Sequence, residues 1–215
     1  TTEIYTLSLH DALPISLLLP IVVEETLKRG WQGRVCLGHM TKLAGLTPQT
    51  IQETAAMVSN AGISVLALPA TDLYMMARKD THNVRRGVAP IHQLMNHGVI
   101  TGIATNNVQN LFTPFGDGDV LKICTLLAQT LQLGTVKNHI QCLAMATTQA
   151  AQAIGVTNYG IAPGNAADLV IVDATSASEA IGTAPVGRTT IKHGKIVSTT
   201  QMQRTFLSPE VSIKG

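Results

Sequence analysis

Residues 63–69, ISVLALP, form an almost unbroken apolar run with β-branched Ile63 and Val65, closed by Pro69. A short run of this kind suits a strand buried on both faces. The flanks support that reading. TPQTIQETAAMVSNAG (47–62) has a capping residue at Thr47, proline at the first helical position and Gly62 at its end, so it predicts a helix. Further upstream, IVVEETLKR (21–29) reads as the end of a helix stopped by Gly30 and Gly33, and VCLGH (35–39) is a second short apolar run. Downstream comes a long polar loop over 70–86, with Asp72, Arg78, Lys79, Asp80, His82, Arg85 and Arg86. IHQLMNHG (91–98) then predicts a short helix, and VITGIATNN (99–107) a third buried strand. Strands that alternate with helices imply a parallel sheet with helical crossovers. Each strand ends in polar residues: His39, the 70–86 loop, and Thr105-Asn106-Asn107. In barrels of this class the chemistry sits at that rim.

A Pro- and Gly-containing loop at 113–118 leads to two further helices. Val120, Ile123, Cys124, Leu127 and Leu131 share a face of the first, and Ile140, Leu143, Ala144, Thr147, Ala151 and Ile154 a face of the second. Both faces are expected to be core. Beyond Gly155 the texture changes to short β segments separated by turn residues, which predicts a small β appendage.

The first fifteen residues, TTEIYTLSLHDALPI, are the in-frame translation of a common short-read sequencing adapter, with every codon in agreement. Residues 1–16 are therefore read as adapter-derived, His10-Asp11 is discarded as a functional pair, and Leu17–Gly215 is read as the C-terminal part of a larger protein. Positive charge is dispersed, with Lys28-Arg29, Arg78-Lys79 and Arg85-Arg86 as separate adjacent pairs and no longer basic run, which argues against nucleic acid as a partner. The apolar run at 17–23 contains Pro20 and is far shorter than the ~20 residues of a membrane span, so no membrane is expected. Cys36, Cys124 and Cys142 lie far apart in apolar stretches, which predicts buried, reduced thiols and a cytoplasmic protein.

GIAPGNAADLVIVDA (160–174), followed by the hairpin VGRTTIKHGKIV (186–197), resembles the closing β module of the amidohydrolase superfamily. Those enzymes are metal-dependent (β/α)8-barrel hydrolases of C–N and related bonds. VCLGHMTKL (35–43), GISVLALPATDLYMMARKD (62–80), VRRGVAPIHQLMNHGV (84–99) and GIATNNVQNLFTPFGDGD (102–119) resemble its cytosine-deaminase branch. The fold class implied is α/β: the C-terminal part of a TIM-type barrel with about three βα units over 17–155, and a β-sandwich appendage with a C-terminal tail over 156–215. The family's H-x-H ligands, and a further histidine and glutamate, belong to strands one and five, outside this stretch.

By the resemblance, His39 is the histidine of barrel strand six, which stands beside the water bound to the metal or binds a second metal. A strand-end histidine bonded to backbone is the plain alternative. Asn106 stands where the family has an aspartate that binds the metal and shuttles protons, so the resemblance names His39 and Asn106 as the catalytic and metal positions. An amide offers a weak ligand oxygen but cannot accept and return a proton. Asn106 and Asn107 also suit a turn at a strand end. Asp72, Asn107 and Phe112 are the candidate substrate contacts. For Asp72 the alternative is a loop cap, and for Phe112 it is core packing. Arg85-Arg86-Gly87 matches a family R-R-G and is expected to be structural. His82, His92, His97, His139 and His193 show no ligand spacing and are expected at the surface or at helix ends.

These expectations describe a whole protein that deaminates a small N-heterocycle such as cytosine, uses zinc or iron, and belongs to a family that often forms homo-oligomers. The alternative is a non-catalytic binding protein of the same fold, motivated by Asn106. The chain by itself is expected to be inactive, to retain no metal, and to leave a sheet edge unpaired.

Overall fold

The computed structural model describes residues 5–8 and 15–205. His10-Asp11 and residues 206–215 of the tail lie outside the described residues. Four short strands, β1 (Tyr5–Ser8), β2 (Val35–Gly38), β3 (Ser64–Ala67) and β4 (Thr101–Ile103), form one parallel sheet in sequence order. Between them run α1 (Ile15–Lys28), α2 (Pro48–Asn60), α3 (Pro69–Met75) and α4 (Ile91–Asn96). Every residue of β2 and β4 is buried, as are three of the four in β3, the pattern of a sheet covered on both faces. The core joins Leu37, Val65 and Ile103 of the sheet to Val58 of α2, Leu94 of α4 and Leu127 of the following helix.

The sheet differs from the expectation in having a fourth strand. Tyr5–Ser8 pairs with β2, from Tyr5↔Val35 to Ser8↔Gly38, although it falls in the stretch read as adapter-derived. Ladder bonds are made by backbone groups, so the open edge of β2 accepts an extended segment of any origin. At the other edge, Gln149 Oε1 accepts the Thr101 N–H at 3.3 Å. The sheet ends at β1 on one side and at β4 on the other.

Thr47 caps α2 by accepting from Thr50 N at 3.3 Å, with Pro48 at the first position, as its sequence predicts. The expected loop after β3 instead opens with α3, started by Pro69. Past β4 come α5 (Val120–Thr130), α6 (Val136–Ala146) and α7 (Thr148–Ala153). The apolar face of α5 is core, with Ile123, Cys124 and Leu127 buried. The single helix expected over 140–154 is two helices broken at Thr147, whose φ −129 and ψ −96 are not helical. The expected face is core only in part: Ala151 is buried and Leu143 packs against the core. Ile140 and Ile154 are 56% and 54% exposed, while Cys142 and Met145 take the buried positions.

The appendage holds β5 (Leu169–Val172), β6 (Arg188–Lys192) and β7 (Lys195–Thr200) in one antiparallel sheet ordered β5-β6-β7. His193 and Gly194, at φ 49 and 74, make the tight turn between β6 and β7. A second layer that would complete a sandwich is absent among the described residues. Between β5 and β6 lies α8 (Ala177–Thr183), which the sequence reading missed. Its signal was legible: Ser176 accepts from Glu179 N at 3.1 Å, and Glu179 reaches back to Thr175 N at 2.8 Å. Ile181 of α8 is 1% exposed and joins the main core, so this part of the appendage packs with α5 and α6.

Among the described residues no helix is long and apolar enough to cross a membrane. All three cysteines are buried and free, and burial pushes the Cys124 thiol up to about 12 and the Cys142 thiol up to about 11.

Candidate active site

The carboxyl ends of β2, β3 and β4 deliver three polar groups to one place. His39 follows β2, Asp72 lies in the first turn of α3 just after β3, and Asn106 follows β4. His39 Nδ1 lies 2.5 Å from Asp72 Oδ1, and its Nε2 lies 3.2 Å from Asn106 Nδ2. A carboxylate can only accept, so the Nδ1 proton points at Asp72. In the neutral ring Nε2 then carries a lone pair, which accepts from the Asn106 amide.

The backbone is shaped to make these contacts. His39 and Asn106 both adopt left-handed conformations, with φ 69 and φ 61. Such values are uncommon outside glycine, though Asn and His tolerate them better than most residues. Each turns the chain out of its strand at the point where its side chain must face the neighbouring strand end. The backbone cost of these conformations is borne by the surrounding packing, a feature that clusters at functional sites.

The structure revises the role expected for Asp72. It is 1% exposed and sits inside α3, whose N-cap, Leu68, makes no side-chain capping bond. Asp72 is therefore no loop cap, and in this chain it is buried from solvent. It holds and orients the His39 ring, as a carboxylate behind a ligating or proton-transferring imidazole does. His39 is likewise no backbone-satisfied strand-end residue, since both ring nitrogens meet side chains.

Beside Asp72, Thr71 Oγ1 lies 2.6 Å from Thr113 Oγ1, and both residues are buried. Thr113 belongs to the loop after β4, a loop organised by Asn110. Asn110 Oδ1 accepts from Phe112 N and Thr113 N at 3.0 Å each, and its amide donates to Asn107 Oδ1 at 2.7 Å. The contacts close a ring: His39 to Asp72, neighbouring Thr71 to Thr113, Asn110 and Asn107, then Asn106 back to His39. The sequence reading passed over Thr71, Asn110 and Thr113, because nothing in their local pattern marks a contact across 42 residues.

Phe112 does not pack in the core; it is 56% exposed. A side chain on a tight turn points where the turn allows, and here that is outward. Phe115 is the aromatic residue that lines a narrow cleft with Asn107 and Thr105. Its ring meets Tyr74 of α3 edge-on, with centroids 5.7 Å apart. Asn107 thus borders the cleft, while its side-chain oxygen holds the turn.

The other expectations divide. In the R-R-G stretch, Arg86 Nε donates to Met76 O at 3.4 Å, and Gly87 meets the Ala44 side chain, which supports a structural part. His92 stands at a helix end, as the second residue of α4, and is half-buried: its Nδ1 is buried without a hydrogen-bond partner, and burial lowers its pKa. His139 Nδ1 lies 3.0 Å from Ser178 Oγ and ties α6 to α8.

For a metal, His39 fits. Its Nδ1–H is held by a carboxylate, the arrangement that orients an imidazole and raises its basicity toward a cation. Asn106 fits only as a weak oxygen ligand, and its nitrogen faces His39. Among the described residues, no group of three or more His, Cys, Asp or Glu side chains could hold a metal ion.

Comparison with known proteins gives a family from sequence and a matching fold from shape. The amidohydrolase family is matched over residues 8–198. A pterin deaminase of Rhizobium rhizogenes (strain K84 / ATCC BAA-868) is 31% identical over 183 residues, covering 84% of this chain and 41% of that protein. The crystal structure of 5-methylcytosine deaminase from Klebsiella pneumoniae liganded with 5-fluorocytosine superposes with a TM-score of 0.81 at 24% identity, over 91% of this chain and 48% of that one. N-isopropylammelide isopropylaminohydrolase from Burkholderia multivorans gives 0.79 at 25% identity, over 92% and 47%. The chain spans less than half the length of each of these relatives. Their shared fold is a TIM-barrel-type α/β fold, and the parallel sheet described above is its counterpart here.

Proposed function

The chain belongs to the amidohydrolase family, and from that premise we propose that the whole protein is a metal-dependent hydrolase breaking a C–N bond of a small N-heterocycle. The observation that carries the reading is the Asp72–His39–Asn106 constellation at the carboxyl ends of the strands. The relatives that act on pterin, methylcytosine and ammelide derivatives point to a flat, nitrogen-rich ring as the substrate class. We assign the described sheet to the C-terminal half of the barrel, and the β5-β6-β7 sheet to one layer of a sandwich.

His39 and Asn106 are the residues of this chain nearest the place of the metal, zinc or iron, with the remaining donors supplied elsewhere in the whole protein. A metal held there would supply Lewis-acid activation of the attacking water. Asp72 keeps the Nδ1 proton in place and leaves the His39 Nε2 lone pair toward the site. An imidazole held this way presents a proton-accepting nitrogen to the site. Asn106 orients that ring but cannot cycle a proton, so proton transfer to the leaving nitrogen falls to the Asp72–His39 pair. Asn107 and Phe115 border the cleft in which the ring would lie, and Phe112 is the exposed aromatic residue of the same loop.

Asn106 favours a second reading, a protein of this fold that binds its heterocycle without turnover. One experiment separates the two. Intact protein is assayed for divalent metal and for ammonia or amine release from cytosine, pterin and ammelide derivatives. Metal-dependent release that disappears in His39→Ala supports the enzyme. Binding of one of these rings with no release supports the second reading, and neither binding nor release overturns both.

A further inference from the structure

The loop that carries Asn106 and Asn107 ends at Asp119, the N-cap of α5, whose Oδ1 accepts from Leu121 N at 3.0 Å. The same carboxylate receives a second element. Arg188, the first residue of β6 in the appendage, donates Nη1 to Oδ1 and Nη2 to Oδ2, each at 2.7 Å. Its Nε donates to Pro185 O at 2.8 Å, so the guanidinium plane is fixed from both sides. The two side chains are only 20% and 14% exposed. A partly buried, two-pronged arginine–carboxylate pair fixes geometry in a way that a lysine pair does not. The Lys192–Asp168 pair of the same appendage joins residues within the appendage and leaves the lysine exposed.

From Asp119 a chain of short contacts leads to the site. Asp119 N donates to Asp117 Oδ1 at 3.1 Å. Gln109 then ties the two limbs of the loop together, its side chain donating to Gly116 O at 2.8 Å and its backbone N to Phe115 O at 3.2 Å. Next come the Asn110 turn, the Thr71–Thr113 bond, and Asn106 on His39.

We propose that Arg188 is a positioning residue: through Asp119 it holds the loop that places Asn106 against His39, so the appendage sets the geometry of the site. The proposal rests on His39 being the site histidine. A path of contacts transmits a perturbation only if its far end responds, so the test reads the far end directly. Ring-nitrogen chemical shifts of His39, and hydrogen exchange at the amides of Gln109, Asn110 and Thr113, are compared in the wild-type chain, Arg188→Ala, Arg188→Lys, Asp119→Asn and the control Lys192→Ala. Arg188→Ala is expected to move the His39 resonances and to speed exchange of the three loop amides by about tenfold or more, an opening confined to the loop. Arg188→Lys gives a smaller change in the same direction, and Lys192→Ala leaves both readouts at wild type. Unmoved His39 resonances in Arg188→Ala overturn the proposal. Equal loss of protection across α2, α5 and the loop also overturns it, because the role would then be general stability. Should Arg188→Ala not fold, Asp119→Asn decides, because asparagine keeps the helix cap but breaks the two-pronged pair. Neither readout needs turnover, so failure of the enzyme reading leaves the test intact.

Discussion

His39 Nδ1 and Asp72 Oδ1 stand 2.5 Å apart, joining the end of β2 to the first turn of α3. Both side chains are almost fully buried, at 5% and 0% exposure. Burial matters to the argument, because a hydrogen bond to a carboxylate is strongest where water cannot compete for it. The pair sets the tautomer and direction of the imidazole before any ligand arrives.

Replacing Asp72 by Asn removes the charge and leaves a poorer partner for the Nδ1 proton. The expected cost is about 1.5–3 kcal/mol, the range for a hydrogen bond to a charged group. Urea unfolding of Asp72→Asn beside wild type measures it, and an unshifted midpoint would show that the pair adds nothing to stability.

Asn106→Asp restores a carboxylate opposite His39 without straining the chain, since Asp also tolerates a left-handed backbone. In the intact protein it is expected to tighten zinc binding by about tenfold, roughly 1.4 kcal/mol, and to raise ammonia release. Calorimetric zinc titration and an ammonia assay read the two effects. If both stay at wild-type values, residue 106 is not at the metal.

Gly87 explains the glycine of the R-R-G stretch. A Cβ added there would lie 2.5 Å from Ala44 Cβ, a short and inflexible neighbour. The backbone would have to shift, so Gly87→Ala is expected to destabilise by about 1–3 kcal/mol, as overpacking does. Thermal unfolding tests this, and a melting temperature equal to wild type would contradict the contact.

His92 predicts a pH dependence. Burial lowers its pKa below the ordinary value of 6.5, and its Nδ1 has no partner. In the window below about 6.5 the unfolded chain therefore binds the proton that the folded chain resists, so stability falls as pH drops through that window. His92→Gln should remove this part of the decline. Unfolding midpoints between pH 7.5 and 5.5 give the comparison, and parallel curves for the two proteins would rule the histidine out.

Much of the fold was legible because its signals are local. The caps at Thr47 and Pro48, the run around Val65 and the turn residues near Gly194 each act within a few positions. The break at Thr147 was not legible, since the apolar spacing continues through it. The site was only half legible. His39 and Asn106 are marked by their place at strand ends and by resemblance, but Asp72 is named there as a substrate contact or a loop cap and not as the partner of His39.

The amino-acid sequence by itself determined the alternation of strands and helices, the family, and the two residues that face each other at the rim, because period, capping and motif are properties of neighbouring positions. Tertiary structure alone decided the partners. Asp72 meets His39 across 33 residues, Thr113 meets Thr71 across 42, and Arg188 meets Asp119 across 69. Those distances are closed by the packing of the sheet and its helices, and no local pattern encodes which polar group will lie opposite another once that packing is complete.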